Sequence, residues 1–140
     1  MEKTYTQLYR IPGGLFLKGA PVFVAEGTLW QHKENSGLFA CVNMKNIDPR
    51  TIAEVTVRFC PIAPNGSVLD DGVIRTFSGL QVAPNGYFAA QELTALPEGS
   101  CAFGAAITGA VFADGTKWQA ESTLAWHVED SSFNPQAPTK

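Results

Sequence analysis

The side chains best suited to catalysis or metal binding in this sequence are its two histidines. His32 follows Trp30 by two residues, and His127 comes directly after Trp126. Neither belongs to a set of ligands at the short spacings that protein metal sites usually show. We therefore interpret both as half-exposed residues at strand ends. We expect no metal site and no cofactor.

The densest acidic point is Asp70-Asp71-Gly72, which raises the question of a calcium loop or a carboxylate pair. A calcium loop needs an acidic residue at every second position and a closing glutamate, and this pattern is missing. Neighbouring residues on a strand point to opposite faces, so the two carboxylates suit a solvated turn or bulge better than a shared site. The sequence also lacks a Gly-x-Ser-x-Gly nucleophile elbow. We expect no catalytic residues and a protein that is not an enzyme.

The three cysteines do not form a disulfide framework. Cys41 and Cys101 have a separation that resembles the inter-sheet pair of an antibody domain. That pair needs a tryptophan on the strand after the first cysteine, yet the strand here reads Val55–Phe59; it also needs a tyrosine two residues before the second cysteine, where Gly99 stands. All three thiols are therefore predicted to be reduced.

Composition and charge narrow the class of protein. The 140 residues suit one domain, and 45% hydrophobic against 16% charged residues indicates a packed globule. The net charge is -3 and no Lys/Arg run exceeds one residue, which argues against a nucleic-acid partner. The sequence has neither a signal-peptide core nor an apolar stretch of about 20 residues, so we expect a cytoplasmic protein without a membrane partner.

Closely spaced turn signals and period-two alternation predict an all-β fold. Pro64-Asn65-Gly66 and Pro84-Asn85-Gly86 suit hairpin loops, and Asp114-Gly115 suits a tight two-residue hairpin. The predicted strands cover residues 4–11, 21–31, 37–46, 51–62, 67–78, 86–94, 101–113 and 116–128. Seven to eight antiparallel strands indicate an immunoglobulin-like β-sandwich, with a small β-barrel as the alternative.

The chain divides into three parts by composition. Residues 1–20 form an N-terminal strand and a Gly-rich turn, and residues 21–128 form the β-sandwich core. Residues 129–140 are polar and contain proline, which predicts a flexible C-terminal tail.

Several runs carry a resemblance to a known group of domains. Val42–Asn46, the following Ile52–Phe59 and the later Val111–Trp118 resemble uncharacterised bacterial immunoglobulin-like domains of the FxLYD-like kind. In those domains an Asn-containing strand precedes a Val-x-Val-x-Phe strand. The resemblance implies an adhesive or accessory module.

The residues with most promise for contact with a ligand or partner are aromatic. In the N-terminal segment, Tyr5, Tyr9 and Ile11 alternate with Thr and Arg, and no Pro, Lys or acidic residue lies between positions 4 and 11. Such a segment at a sheet edge can recruit another strand, and the alternative is that it simply completes the sandwich. Trp30 and His32 are further candidates, because polar neighbours favour an exposed aromatic face there. Trp118 is instead predicted to pack in the core.

These observations favour one function and leave an alternative open. The first hypothesis is a non-catalytic module that mediates protein–protein interaction or self-association, with a protein or a second copy of the chain as partner. The alternative is a carbohydrate-binding or small-ligand-binding module.

Overall fold

The computed structural model of the protein describes residues 3–11, 15–16, 19–69, 72–120 and 127–128. These residues form a two-layered antiparallel β-sandwich with a seven-stranded and a four-stranded sheet. The strands in chain order are β1 (Tyr5–Arg10), β2 (Leu15–Phe16), β3 (Val22–His32), β4 (Leu38–Asn46), β5 (Ile52–Ile62), β6 (Val73–Phe77), β7 (Tyr87–Phe88), β8 (Thr94–Leu96), β9 (Ala102–Phe112), β10 (Lys117–Gln119) and β11 (His127–Val128).

The seven-stranded sheet is built around the hairpin of β3 and β4. On one side of β3 lie β1 and β2, and β11 pairs with β2. On the far side of β4, β7 and β8 pair with different parts of the same strand. The described strands thus lie in two separate sheets, which makes the sandwich, and not the barrel alternative, the architecture of this part of the chain.

The four-stranded sheet has the order β10, β9, β5, β6. Its centre is the long pairing of β5 with β9, from Ile52 opposite Phe112 to Ile62 opposite Ala102. Val55, Val57 and Phe59 alternate toward the other sheet, as the sequence predicts, and all three are fully buried.

The core lies between the two sheets. Its apolar residues come from both layers: Leu29, Ala40, Val42 and Met44 from the seven-stranded sheet, and Phe59, Phe103, Ile107 and Phe112 from the four-stranded sheet. We call the face of each sheet that meets this core its inner face, and the opposite face its outer face. Ile11, which follows β1, is 3% exposed and belongs to the core, so the N-terminal strand is part of the sandwich.

The predicted strands differ from the observed ones mainly after β5. The predicted 67–78 strand contains β6 only from Val73, and its earlier part contributes a single bridge between Val68 and Ile62. The predicted 86–94 strand contains β7 and only the first residue of β8, Thr94, so the two short strands were predicted as one. Short strands such as β7 and β8 offer too few alternating residues for a pattern to be visible.

The loop predictions were partly wrong. Gly66 has a φ of 90° and closes a hairpin-like turn, whereas at the second Pro-Asn-Gly the positive φ of 69° falls on Asn85. That second turn joins Val82, which bridges to Ile52, to β7, which pairs with β4, so it is not a hairpin. The β9–β10 loop has three residues, because Phe112 pairs with Thr116 around it.

Among the described residues there is no helix with the length and apolar composition needed to cross a membrane. The predicted tail at 129–140 lies outside the described residues.

Candidate functional site

Strand β1 lies at an open edge of the seven-stranded sheet, since β3 is the one described strand that pairs with it. The N–H of Lys33, which follows β3, donates to the carbonyl of Thr4 at 2.9 Å, so Thr4 and Lys33 form a hydrogen-bonded pair. Hydrogen-bonded pairs alternate along antiparallel strands. Thr6 therefore also bonds to β3, whereas the backbone groups of Tyr5 and Gln7 point away from it. These two residues give β1 a short row of outward donors and acceptors.

A β-bulge between Gln7 and Tyr9 interrupts this row. Leu8 is the extra residue, and its side chain is 44% exposed. One inserted residue reverses the alternation of faces, so Tyr9 and Ile11 turn inward while Tyr5 stays on the outer face. The regular alternation predicted for Tyr5, Tyr9 and Ile11 is therefore wrong.

Tyr9 packs against the core and does not face a partner. Its ring meets Phe103 edge-on, with 6.2 Å between the ring centroids. Burial raises the pKa of the Tyr9 phenol well above its usual range, and the negative charge of a nearby Cys101 thiolate adds to the rise. Of the four predicted contact residues, Tyr9 is the one that packs against the core between the two sheets.

Tyr5, His32 and Phe39 form an aromatic group on the outer face, which we call the Tyr5 cluster. The Tyr5 ring stands edge-on to His32 at 5.0 Å and to Phe39 at 5.9 Å between centroids, with interplanar angles of 87° and 86°. Edge-to-face pairs of this kind are favourable, by about 0.5–1.5 kcal/mol each beyond area burial. All three rings are partly exposed. The structure thus unites two predicted contact residues with one, Phe39, that was not predicted.

His32 ends β3, as expected of a half-exposed histidine at a strand end. Its Nδ1 accepts a hydrogen bond from the backbone N–H of Glu34 at 3.2 Å. In the described part of the chain, no three His, Cys, Asp or Glu residues are grouped as metal ligands would be. The side chain of His127, together with Trp126 and the Asp70-Asp71 pair, falls outside the described residues.

Trp30 does not present an exposed ring, contrary to the prediction. It is only 9% exposed and pairs with Gln7 of β1 on one side and Phe39 of β4 on the other. The prediction rested on the polar residues next to Trp30 in the sequence, which do not reveal that strands β1 and β4 lie on both sides of it. Trp30 lies directly opposite Phe39 of the Tyr5 cluster in the register of β3 and β4.

The other edges of the sandwich are less open to a new strand. The four-stranded sheet ends at β6, where Arg75 lies between Val73 and Phe77 on the inner face, opposite the buried Val57. Its guanidinium donates to the carbonyl of Leu93 at 2.8 Å and to the hydroxyl of Thr94 at 2.9 Å, and it pairs with Glu92 at 2.9 Å. An inward-pointing charge of this kind guards an edge against pairing. The remaining edge strands β7, β8, β10 and β11 have two or three residues each.

A groove of about 260 Å³ lies on the outer face of the four-stranded sheet. Glu54 and Lys117 flank one end, Thr56 and Gln119 the other, and Gly109 forms the floor. A bulge in β9 precedes this glycine. A Cβ added at Gly109 would lie 3.7 Å and 3.9 Å from its nearest neighbouring atoms, which is ordinary contact distance. The space at this position is therefore open because glycine has no side chain to fill it. No motif in the sequence predicts this groove.

Trp118 has the structural position predicted for it. It pairs with Ala110, whose side chain belongs to the core, and the indole packs against that core although it is only partly buried. Because paired residues share a face, the indole points inward. Trp118 and Val111 also line the groove, next to its polar residues.

The three cysteines are free thiols. Cys41 and Cys60 are buried, and burial is the main cause that raises the pKa of each. The Cys41 thiol also donates to the carbonyl of Ala90 at 2.7 Å. Cys101 is exposed.

Comparison with known proteins adds no identification: no protein-family model, curated protein or solved structure matches the chain. The resemblance to FxLYD-like domains therefore remains a hypothesis about this sequence.

Proposed function

We propose that this chain is a non-catalytic β-sandwich module that mediates protein–protein interaction through the open edge of β1. An extended segment of a partner chain adds to the seven-stranded sheet as a further strand. The observation that carries the proposal is the outward direction of the Tyr5 and Gln7 backbone groups, on a stretch from Thr4 to Tyr9 that has no charged side chain.

Side chains next to this edge supply the rest of the contact surface. Tyr5 and Gln7 both lie on the outer face, where Tyr5 joins His32 and Phe39. In strand addition, main-chain hydrogen bonds give affinity, and alternate side chains of the added strand give specificity. A residue added opposite Tyr5 packs beside the exposed parts of the Tyr5 cluster.

The bulge at Leu8 sets the length of the interaction. It turns the Tyr9 side chain into the core and interrupts the row of free backbone groups after Gln7. A partner strand therefore pairs over Tyr5–Gln7 and then diverges. Such a short pairing favours a reversible association.

The test compares two substitutions at one position. In Gln7→Pro the outward N–H is lost while the ladder to β3 stays intact, because Gln7 gives no backbone bond to β3. In Gln7→Val the side chain changes but the N–H remains. Peptides selected from a random display library on the parent protein should bind Gln7→Val comparably and Gln7→Pro about tenfold more weakly. Equal binding to all three proteins would refute the edge as the site.

A second candidate function follows from the Gly109 groove. We propose that it takes a small hydroxyl-rich ligand such as a saccharide, because Glu54 can accept and Lys117 can donate hydrogen bonds while Thr56 and Gln119 can do both. Gly109→Ala fills the floor without a clash, since the added carbon meets its neighbours at ordinary contact distance.

A panel of mono- and disaccharides tests this candidate by chemical-shift perturbation. Shifts confined to the groove in the parent protein and lost in Gly109→Ala would support it. Saccharides that leave the groove signals unmoved, or that bind both proteins alike, would rule it out.

A further inference from the structure

We propose that the strand added at β1 comes from a second copy of this chain, paired antiparallel about a two-fold axis at Thr6. The inference rests on the proposed function of the β1 edge and specifies its partner. Two-fold interfaces use the same surface on both subunits, so the surface must complement itself. The backbone pattern of β1 does so.

The self-complementarity follows from which residues point outward. In an antiparallel pair, a residue with outward backbone groups must face another such residue. With Thr6 opposite Thr6 of the second copy, Tyr5 of each copy faces Gln7 of the other. Each of these pairs exchanges both backbone hydrogen bonds.

Neighbouring registers use the edge less well. Centring the pair on Tyr5 places Gln7 opposite Lys3, which lies in a turn before β1 begins. Centring it on Gln7 places Tyr5 opposite Tyr9. The N–H of Ile11 donates to the carbonyl of Gly27 at 2.9 Å, so by alternation the Tyr9 backbone bonds to β3 and is not available. The register centred on Thr6 pairs the outward backbone groups of both Tyr5 and Gln7 with those of the second copy.

The side chains also permit two copies to approach. Positions 4 to 9 read Thr-Tyr-Thr-Gln-Leu-Tyr, so pairing brings no like charges opposite each other. The first charge of β1 is Arg10, which forms an ion pair with Glu26 of β3 at 2.6 Å. The dimer joins two seven-stranded sheets into one continuous sheet, with a Tyr5 cluster on each side of the axis.

Disulfide trapping tests the register. At the axis, Thr6 lies in a pair without hydrogen bonds, where Cα atoms are about 4.5 Å apart and within disulfide range. Thr6→Cys, in a Cys101→Ser background that removes the exposed native thiol, should form a reducible dimer. The matched control is Thr4→Cys, which is equally exposed. Its Cα atoms would lie about 14 Å apart in this register, so it should stay monomeric.

Sedimentation equilibrium from micromolar to millimolar protein tests the association itself. The parent should form dimers. Gln7→Pro should dimerise roughly thirtyfold more weakly than Gln7→Val, which keeps the backbone N–H, because each copy of the proline variant loses one donor. Gln7→Lys, which keeps the backbone donor but adds two like charges near the axis, should weaken dimerisation as well.

These experiments distinguish the second copy as partner from the more general proposal that the β1 edge binds a protein. A chain that stays monomeric, or that crosslinks equally through Thr4→Cys and Thr6→Cys, overturns the second copy as partner. If selected peptides still distinguish Gln7→Val from Gln7→Pro under those conditions, the edge binds a different protein. If they do not, both the dimer and the edge function are wrong.

Discussion

Asn46 offers the sharpest test of how this sandwich is held together, because it is a fully buried polar residue at the end of β4. Its side-chain N–H groups donate to the carbonyls of Arg50 and Val82, each at 2.9 Å. Its Oδ1 accepts from the backbone N–H of Asp48 at 2.8 Å. One amide thus joins the turn after β4 to the strand-like bridge at Val82. We expect Asn46→Ala to loosen both.

The size of the effect follows from the bonds that are lost. A net hydrogen bond contributes about 0.5–1.5 kcal/mol, so losing the three side-chain bonds costs about 3 kcal/mol. Val82 keeps its bond from the N–H of Ile52, at 3.0 Å, which limits the loss there. For a domain of this size the expected fall in melting temperature is about 10 °C.

Asn46→Asp tests the same geometry with nearly the same shape. A carboxylate facing two carbonyls in a buried site is unfavourable, so at neutral pH this variant should melt below Asn46→Ala. The folded-state pKa of the introduced carboxyl group would lie above its unfolded value, so the variant gains stability as pH falls toward about 4 and loses it as pH rises.

The matched control is Asn43→Ala on the same strand. The Oδ1 of Asn43 is buried and has no hydrogen-bond partner among the described residues, so its removal should cost less than about 1 kcal/mol. Thermal and urea unfolding monitored by circular dichroism measure all three variants. Equal stability of Asn46→Ala and Asn43→Ala would refute the assigned role of Asn46.

The remaining predictions address thiols, packing and pH. In non-reducing buffer, mass spectrometry after alkylation should find Cys101 modified in the folded protein and Cys41 and Cys60 modified only after unfolding; a Cys41–Cys101 bridge would contradict this. Trp118→Ala should lower the unfolding free energy by about 2–3 kcal/mol, less than for a fully buried tryptophan, and a variant that melts like the parent would contradict the packing. A hydrogen bond from an arginine lowers the folded-state pKa of Asp48, so its contribution to stability is present above the unfolded pKa and is lost as pH falls below about 4. Asp48→Asn should therefore reduce the acid sensitivity of the melting temperature, and an unchanged pH profile would exclude this contribution.

The long strands could be predicted from the sequence because burial imposes a period of two on them. In β5, Val55, Val57 and Phe59 alternate with polar residues, and one face of the strand is indeed buried. The same pattern located β3, β4 and β9. Strand partners could not be predicted in this way, since alternation shows which face is buried but not which strand lies alongside.

The candidate site was only half visible in the sequence. Tyr5 and His32 were identified by their residue types. Phe39 could have been identified as well, because it lies between partly buried Leu38 and buried Ala40 and so points to the opposite, outer face of β4. The inward turn of Tyr9 depends on a bulge at Leu8, and bulges leave no mark in the pattern of residue types. The prediction that Trp30 is exposed was wrong for a related reason. Trp30 lies between β1 and β4, and the order of strands in a sheet cannot be read from the pattern of residue types.

The pairing of β5 with β9 has a consequence for the order in which the chain assembles. These strands are joined across 39 intervening residues (63 to 101), whereas only 5 (33 to 37) separate β3 from β4. Short loops close quickly and distant pairings form late. During synthesis we therefore expect the β3–β4 hairpin to form while β5 still waits for β9 to leave the ribosome. During that interval the apolar residues Val55, Val57 and Phe59 have no neighbouring strand β9. We therefore expect β5 to be the segment of the nascent chain that most needs protection from aggregation.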